Sequence, residues 1–171
     1  YSFGAWGLHR ISGDLDACSF NYQGGDNQEL TGEASFYARA ASEKAANDAL
    51  QTLSADVVIE DGVAITSCVS SKSESIGVNL DFTGPQYVDT QITAPQGAVA
   101  LNSVSGVHKW EAGSVRARDV EGSLHLLATG GTVDLSLLPL ADSEIYLELV
   151  EVNLQLALPS GLDYDLQVWG S

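Results

Sequence analysis

The second half of the chain alternates between apolar and polar positions with a period of two. Aliphatic residues take every second place in short runs, and Arg116, Arg118 and Asp134 stand between them. This alternation is typical of β-strands, whereas apolar positions in a helix recur every three to four residues. The pattern therefore predicts strands from about residue 96 onward.

Glycine recurs through the same stretch, each time followed closely by an aliphatic residue, at positions 97, 106, 113, 122 and 131. Alternate glycines lie 16 to 18 residues apart, which fits a coil of two short strands and a glycine corner. Such coils, stacked at strand spacing, would form a single-stranded β-solenoid or β-roll with the aliphatic residues inside. Leu124, Leu135 and Leu154 follow the inward phase.

The C-terminal part continues this pattern with longer strands. The alternation changes phase near Val150-Glu151, which predicts a corner or bulge at that point. Leu162 to Val168 then predicts a last strand.

The first half predicts a mixture of strands and one helix. Residues 31–41 alternate as a strand, and Ser42 is a suitable N-cap for a helix with an apolar face. Two valine-containing runs flank Asp61-Gly62 and predict a β-hairpin. Further strands follow, with Pro85 and Pro95 at the breaks between them.

We therefore expect a mainly β protein in two regions that share one core. Residues 1–95 would form an α+β cap that contains one short helix and an N-terminal strand segment. Residues 96–171 would form the β-solenoid.

Several of these runs together resemble a known prokaryotic family. They are Ala55-Asp-Val-Val-Ile-Glu-Asp-Gly62, Val88-Asp-Thr-Gln-Ile-Thr-Ala-Pro95, Val104-Ser-Gly106, Val120-Glu-Gly122 and Val152-Asn-Leu-Gln-Leu-Ala-Leu-Pro159. Over residues 40–170 the chain is similar to the putative-adhesin domain family of unknown function, a β-solenoid with glycine-valine repeats. The resemblance implies a non-catalytic protein of the surface or envelope and assigns no active-site residue.

Charge excludes two classes of partner. The 171 residues include 23 Asp and Glu against 7 Lys and Arg, which gives a formal net charge of −16. Nucleic acids and anionic membrane surfaces are both bound through basic residues, so we expect neither as a partner. The sequence also has no apolar run long enough for membrane insertion.

Cys18 and Cys68 are the two cysteines of the chain, and we expect them to form a disulfide. The sequence begins at Tyr1 and contains no methionine, which favours a mature secreted product. Disulfides persist in oxidising compartments, so we expect an extracellular, cell-surface location. Two buried free thiols are the alternative.

Motifs for catalysis are absent, so we expect no enzyme activity and no cofactor. The acidic residues admit calcium at oxygen-rich pairs, which a solvated acidic surface explains equally well. These pairs are Asp14-Leu-Asp16, Gly24-Gly-Asp26-Asn27 and Asp163-Tyr-Asp165, and Gly130-Gly131-Thr-Val-Asp134 is a weaker candidate. His108 and His125 lie 17 residues apart, but alternation aims them at opposite faces, so we interpret them as surface or corner histidines.

The N-terminal segment is uncharged and rich in aromatic residues, with Tyr1, Phe3, Trp6 and Leu8 separated by small residues. One interpretation is that it adds as a strand to a neighbouring subunit, which would make these four residues a self-assembly element. The alternative is that it pairs with the sheet of its own domain.

These features favour a non-enzymatic extracellular structural or adhesion protein of the cell surface, a homo-oligomer or polymer that assembles into filaments by strand addition. The alternative is a monomeric envelope-associated module that binds a surface glycan or protein, with Trp110 and Trp169 as first contacts. An enzyme whose site the sequence does not reveal is the third hypothesis.

Overall fold

The computed structural model describes residues 7–69 and 76–161, and it is mainly β with one short helix. This confirms the predicted class. Ten strands and one helix follow in chain order: β1 (Arg10–Asp14), β2 (Ser19–Gly25), β3 (Thr31–Ala38), α1 (Glu43–Leu50), β4 (Ser54–Glu60), β5 (Val63–Val69), β6 (Ile76–Pro85), β7 (Asp89–Thr129), β8 (Thr132–Leu138), β9 (Ile145–Val150) and β10 (Asn153–Ala157).

Parallel pairing dominates the sheet. The 41-residue β7 bends repeatedly, and its successive parts pair in parallel with β1, β2, β8 and β9. β1 also pairs in parallel with β5, and β2 with β6, so the first two strands of the chain lie between β5–β6 and the start of β7. The sheet as a whole is nearly barrel-shaped. This shape does not distinguish a single-stranded solenoid from other arrangements of parallel strands, so the solenoid stays a prediction.

β3 and β4 occupy the two ends of the strand order β3-β6-β2-β7-β1-β5-β4. β3 pairs antiparallel with β6, and β4 pairs antiparallel with β5. The helix α1 lies between β3 and β4 in the chain and connects these two ends.

Local signals of the first half are confirmed. α1 begins after Ser42, whose Oγ accepts a hydrogen bond from the backbone N–H of Ala45 at 3.3 Å. The β4–β5 hairpin turns at Asp61 and Gly62, which have φ angles of 48° and 76°. Two consecutive positive φ angles match the right-handed twist of a hairpin, and they are tolerated best by Gly, Asn and Asp.

Glycines at the corners let neighbouring passes of the chain, the successive strands that stack in parallel, approach each other closely. A Cβ atom at Gly97 would lie 2.0 Å from the carbonyl oxygen of Cys18, and one at Gly122 would lie 2.1 Å from that of Gly106. No side chain fits at such distances. The recurrence of glycine that the sequence shows is thus a packing requirement of stacked corners.

β7 crosses the predicted boundary at residue 95 without interruption. Pro95 lies inside this strand, so the break predicted there is wrong, whereas Pro85 is the last residue of β6. One hydrophobic cluster contains buried residues from both sides of residue 95. The division into a cap (1–95) and a solenoid (96–171) stays a prediction, and it does not coincide with a break in the sheet.

The predicted phase change near Val150-Glu151 is confirmed, because Glu151 lies between β9 and β10 with a φ angle of 56°. The last predicted strand, Leu162 to Val168, lies outside the described residues. Two of the three leucines predicted to lie in the interior, Leu124 and Leu135, are buried.

The third leucine, Leu154, is 40% exposed, although it pairs in register with the buried Val133. Its predicted place in the interior is therefore wrong. Its strand β10 pairs only with β8 among the described strands, so Leu154 is covered by neighbours on one side.

Substitution by alanine should destabilise the fold more at Leu135 than at Leu154. We expect Leu135→Ala to lower the free energy of unfolding by about 2–5 kcal/mol, because it leaves a cavity among fully buried neighbours. Leu154→Ala should cost about 1 kcal/mol, because part of this side chain is already in water. Urea denaturation followed by circular dichroism measures both. Equal losses would mean that β10 is as tightly covered as β8.

A disulfide joins Cys18 and Cys68, with 6.4 Å between their Cα atoms. Cys18 lies just before β2, and Cys68 is in β5, the strand that neighbours β1. Both side chains belong to the hydrophobic cluster. The bond therefore ties the connection between β1 and β2 to the β4–β5 hairpin, which pairs with β1.

Removal of this bond should destabilise the fold. We expect Cys18→Ala/Cys68→Ala to lower the free energy of unfolding by about 2–5 kcal/mol, since the disulfide restricts the unfolded chain over 50 residues. Urea denaturation of this variant and of the oxidised parent gives the difference. Alkylation of both thiols in unreduced native protein would contradict the bond itself.

Candidate functional site

Four neighbouring strands, β3, β6, β2 and the part of β7 at 99–102, carry two outward rows of side chains in register, and all of these side chains except that of Ala100 are polar. Glu33 lies opposite Asp81, Asp81 opposite Asn21, and Asn21 opposite Ala100. A second row lies two residues away on each strand, later in the sequence on β6, β2 and β7 and earlier on the antiparallel β3. It consists of Thr31, Thr83, Gln23 and Asn102. We call these eight residues the polar face.

The polar face borders an open cavity of about 740 Å³. The Asn21 Nδ2 donates a hydrogen bond to Asp81 Oδ1 at 2.7 Å, which orients both side chains. Inward neighbours on the same strands, including Phe20 and Leu80, are fully buried. The face is thus a shallow surface on a packed floor, which suits a ligand that lies along the sheet.

A buried tyrosine stiffens this floor. Tyr22 lies on β2 between Asn21 and Gln23, and its hydroxyl donates a hydrogen bond to the carbonyl oxygen of Pro85 at 2.7 Å. Burial raises the pKa of the Tyr22 hydroxyl, so it remains a neutral donor. This bond joins the middle of β2 to the end of β6 beneath the polar face.

Electrostatics restrict what the polar face can bind. Glu33 and Asp81 are directly opposite each other on antiparallel strands, an arrangement of like charges that costs stability. None of the eight residues of the face is Lys, Arg or His. The face therefore disfavours anions and favours neutral or cationic groups.

An aromatic side chain lies beyond one end of the polar face. Tyr37 of β3 is opposite Gly77 of β6, and a Cβ atom at Gly77 would lie 2.5 Å from the Tyr37 hydroxyl oxygen. The tyrosine ring thus lies against the bare backbone of the glycine and is still partly exposed. It is four residues from Glu33 along β3, or about 13 Å.

The structure describes two of the residues predicted for self-assembly or ligand contact, Leu8 and Trp110, and both are buried. Tyr1, Phe3, Trp6 and Trp169 lie outside the described residues. Leu8 is only 6% exposed and belongs to the hydrophobic cluster, so it packs within its own chain and is not available to a neighbour. Trp110 is 3% exposed, which overturns its interpretation as a surface contact.

Trp110 belongs to a buried hydrogen-bond chain. Its Nε1 donates to Thr90 Oγ1 at 2.7 Å, and this hydroxyl lies 2.9 Å from His108 Nδ1. The other ring nitrogen of His108, Nε2, lies 3.3 Å from the carbonyl oxygen of Glu121. A neutral His108 that carries its proton on Nε2 satisfies every contact, because the Thr90 hydroxyl then donates to Nδ1.

The two histidines of the repeat face opposite sides, as alternation predicts. His125 is exposed and packs edge-on against Tyr146, whereas His108 is fully buried. Its interpretation as a surface or corner histidine is therefore wrong.

The candidate calcium residues are not brought together. Asp134 binds Arg118 through two side-chain hydrogen bonds, so its carboxylate is already paired. Within residues 7–69 and 76–161, no three His, Cys, Asp or Glu side chains form a group that could hold a metal ion. Asp163 and Asp165 lie outside the described residues. In the same ranges, no helix is long and apolar enough to cross a membrane.

The polar face itself was missed by sequence reasoning. The alternation of Asn21 and Gln23 around Tyr22, and of Asp81 and Thr83 around Phe82, is a visible signal. The register between β2 and β6 spans about 60 residues, and alternation within one strand says nothing about it.

Comparisons with known proteins show a likeness of fold. No protein-family model matches the chain, and no curated protein matches it by sequence, so membership of the glycine-valine repeat family is not supported. A solved structure from Clostridium sporogenes, described as a putative cell adhesion protein, superposes with a TM-score of 0.57 at 5% identity. The match covers 91% of this chain and 94% of that one, so the two proteins share a fold over most of their length.

Acid should destabilise the protein through His108. Burial lowers the pKa of this imidazole from 6.5 to about 4, so between these values the unfolded chain binds the proton more readily. The stability that neutral His108 supports is present above pH 6.5 and falls by about 3 kcal/mol as the pH drops to 4.

Urea denaturation of the parent and of His108→Gln at several pH values measures this effect. The difference in unfolding free energy between the two proteins should change over this pH window. His125→Gln, at an exposed position, is the control and should follow the parent. If the unfolding free energies of His108→Gln and the parent changed in parallel with pH, His108 would not be the cause of the acid destabilisation.

Proposed function

We propose that this chain is a non-enzymatic adhesion protein of the extracellular cell surface that binds a neutral glycan through its polar face. The observation that carries the proposal is the register of the four strands, which places two rows of carboxylate, amide and hydroxyl groups side by side. The likeness to a protein described as a putative cell adhesion protein supports the adhesion role.

The chemistry of the polar face matches sugar hydroxyls. Each hydroxyl of a sugar both donates and accepts hydrogen bonds. The Glu33 and Asp81 carboxylates accept, while the amides of Asn21, Gln23 and Asn102 do both. Because the face has no basic side chain, it would repel uronic acids, sialic acids and phosphates. A neutral hexose polymer meets these conditions best.

Tyr37 adds an apolar contact to this set. The exposed face of an aromatic ring packs well against the apolar side of a sugar ring. Its distance of about 13 Å from Glu33 allows an extended oligosaccharide to reach from the ring to the carboxylates. Binding along this line needs no lid and no cofactor.

The cellular setting of the proposal rests on independent features. A disulfide between buried cysteines suits an oxidising compartment. A net charge of −16 suits a protein that must remain soluble at a crowded surface. The stacked corners and parallel passes support the further proposal that the fold is a β-solenoid, in which each pass adds one column to the polar face.

A glycan array with the purified chain, followed by isothermal titration calorimetry, tests the proposal. We expect neutral oligosaccharides among the ligands. Asp81→Asn and Tyr37→Ala should each weaken binding about 10-fold, which corresponds to about 1.4 kcal/mol. Glu60→Gln is the matched control, since it removes one carboxylate from β4 and should leave affinity unchanged.

Three results would contradict the proposal. One is the absence of any glycan ligand, and the second is undiminished binding by both Asp81→Asn and Tyr37→Ala. The third is hydrolysis of the bound glycan, which would show an enzyme. Binding of a protein in place of a glycan would favour the alternative protein-binding module.

Assembly into filaments by strand addition stays a prediction, and the described residues offer no support for an open-ended polymer.

A further inference from the structure

Ala100 interrupts the polar face with a small apolar side chain. It lies beside Asn21 of β2 in the first row, and Asn102 follows two residues later on the same strand. All three residues line the open cavity. Because the alanine side chain ends at Cβ while those of its neighbours extend further, Ala100 forms the floor of a recess in the polar face. We call it the Ala100 recess.

Asn21 gives this recess an oriented hydrogen-bond acceptor. On one side of Asn21 lies Asp81 of β6, and on the other lies Ala100. The Asn21 Nδ2 donates to Asp81 Oδ1 at 2.7 Å, so the nitrogen of this amide faces β6. The oxygen and the nitrogen of an amide point in different directions from their shared carbon. The Asn21 Oδ1 is therefore directed away from Asp81, toward the side of the recess, where it can accept a hydrogen bond from a ligand.

The next pass of β7 borders the recess on its other side. A Cβ atom at Gly113 would lie 3.1 Å from the carbonyl oxygen of Gly97, so these two glycines are neighbours in the stack. Arg116 and Ala100 each follow their glycine by three residues, so parallel stacking places them side by side. Arg116 is exposed. Its guanidinium thus stands at the border of the polar face.

Two groups near the recess can donate hydrogen bonds to a ligand. The Asn102 amide is about 7 Å from Ala100 along the strand. The Arg116 guanidinium is the second donor. Asp134 is opposite Arg116 in the register of β7 and β8, but both of its carboxylate oxygens accept from Arg118. Arg116 therefore remains available to a ligand.

We propose that the Ala100 recess holds the acetamido group of an N-acetylated hexose, so that the ligand of the polar face is a glycan with N-acetylhexosamine units. The proposal rests on glycan binding by the polar face and names the class of sugar. The N–H of the acetamido group donates to Asn21 Oδ1, and its carbonyl oxygen accepts from Asn102 or Arg116. Its methyl group packs on the Cβ atom of Ala100.

Other sugar substituents match the recess less well. A hydroxyl group in the same place has no methyl for Ala100 and leaves donors or acceptors of the recess without partners, which costs affinity. A carboxylate would meet Arg116, but Glu33 and Asp81 in the same row carry two negative charges against this one positive charge. An acetamido group is neutral and offers a donor, an acceptor and a methyl group together.

Isothermal titration calorimetry with triacetylchitotriose and cellotriose tests the proposal. These trisaccharides have the same backbone, and they differ in carrying an acetamido or a hydroxyl group on the second carbon of each ring. We expect the whole chain to bind triacetylchitotriose at least about 10-fold more tightly. A glycan array with matched pairs of the gluco and galacto series shows whether the preference follows the acetamido group in other sugars.

Two alanine positions on β7 provide a matched pair of variants. Ala100→Leu fills the recess and should lower the affinity for triacetylchitotriose about 10-fold, to the level of cellotriose. Ala98→Leu adds the same bulk on the same side of the strand, two residues earlier and outside the polar face. It should leave the preference unchanged. Circular dichroism checks that both variants are folded.

The outcomes separate this proposal from the proposed function. Equal affinity for the two trisaccharides, weakened in both cases by Asp81→Asn, would overturn the acetamido assignment and leave glycan binding by the polar face intact. A preference for N-acetylated sugars that survives Ala100→Leu, or array ligands without acetamido groups, would do the same. Absence of any glycan ligand, or tighter binding of acidic glycans, would overturn both.

Discussion

Backbone contact at the corners is the constraint on which this fold depends. Parallel passes pair only if they stay about 4.8 Å apart through the corners as well as along the strands. Gly97 lies against the Cys18 carbonyl and Gly122 against the Gly106 carbonyl, at distances that exclude any side chain. Larger residues at these points would push the passes apart and break the ladders on both sides. Both the aliphatic interior and the outer polar rows require this spacing.

The candidate binding surface is a direct product of that stacking. Asn21, Asp81 and Ala100 are far apart in the sequence, but parallel pairing places them side by side. Glu33 joins the row through an antiparallel strand at the end of the sheet. In such a surface, backbone hydrogen bonds set the distance between neighbouring side chains. The outward residues set its chemistry, and they can vary because the core does not depend on them. It is therefore a suitable scaffold for recognition.

Local features were predictable from the sequence, and long-range ones were not. The Ser42 cap, the Asp61-Gly62 turn and the corner at Glu151 each depend on a few neighbouring residues, so their signals are complete within a short window. The polar face depends on register between strands some 60 residues apart. Trp110 and His108 were misjudged because their polar atoms satisfy each other through Thr90, and a single-residue propensity does not contain such pairing.

The placement of β1 and β2 has a consequence for how the chain folds. These strands come first in the sequence, yet they lie in the middle of the sheet, between β5–β6 and β7. Neither has a parallel partner until more than 50 further residues are available. Such non-local pairing is slow, because the entropy cost of closing a long loop comes before any stabilising contact forms. β1 thus has no partner until β5 of the hairpin is synthesised, and β2 has none until β6 is synthesised, so the first two strands of the chain cannot pair in the order in which they are made.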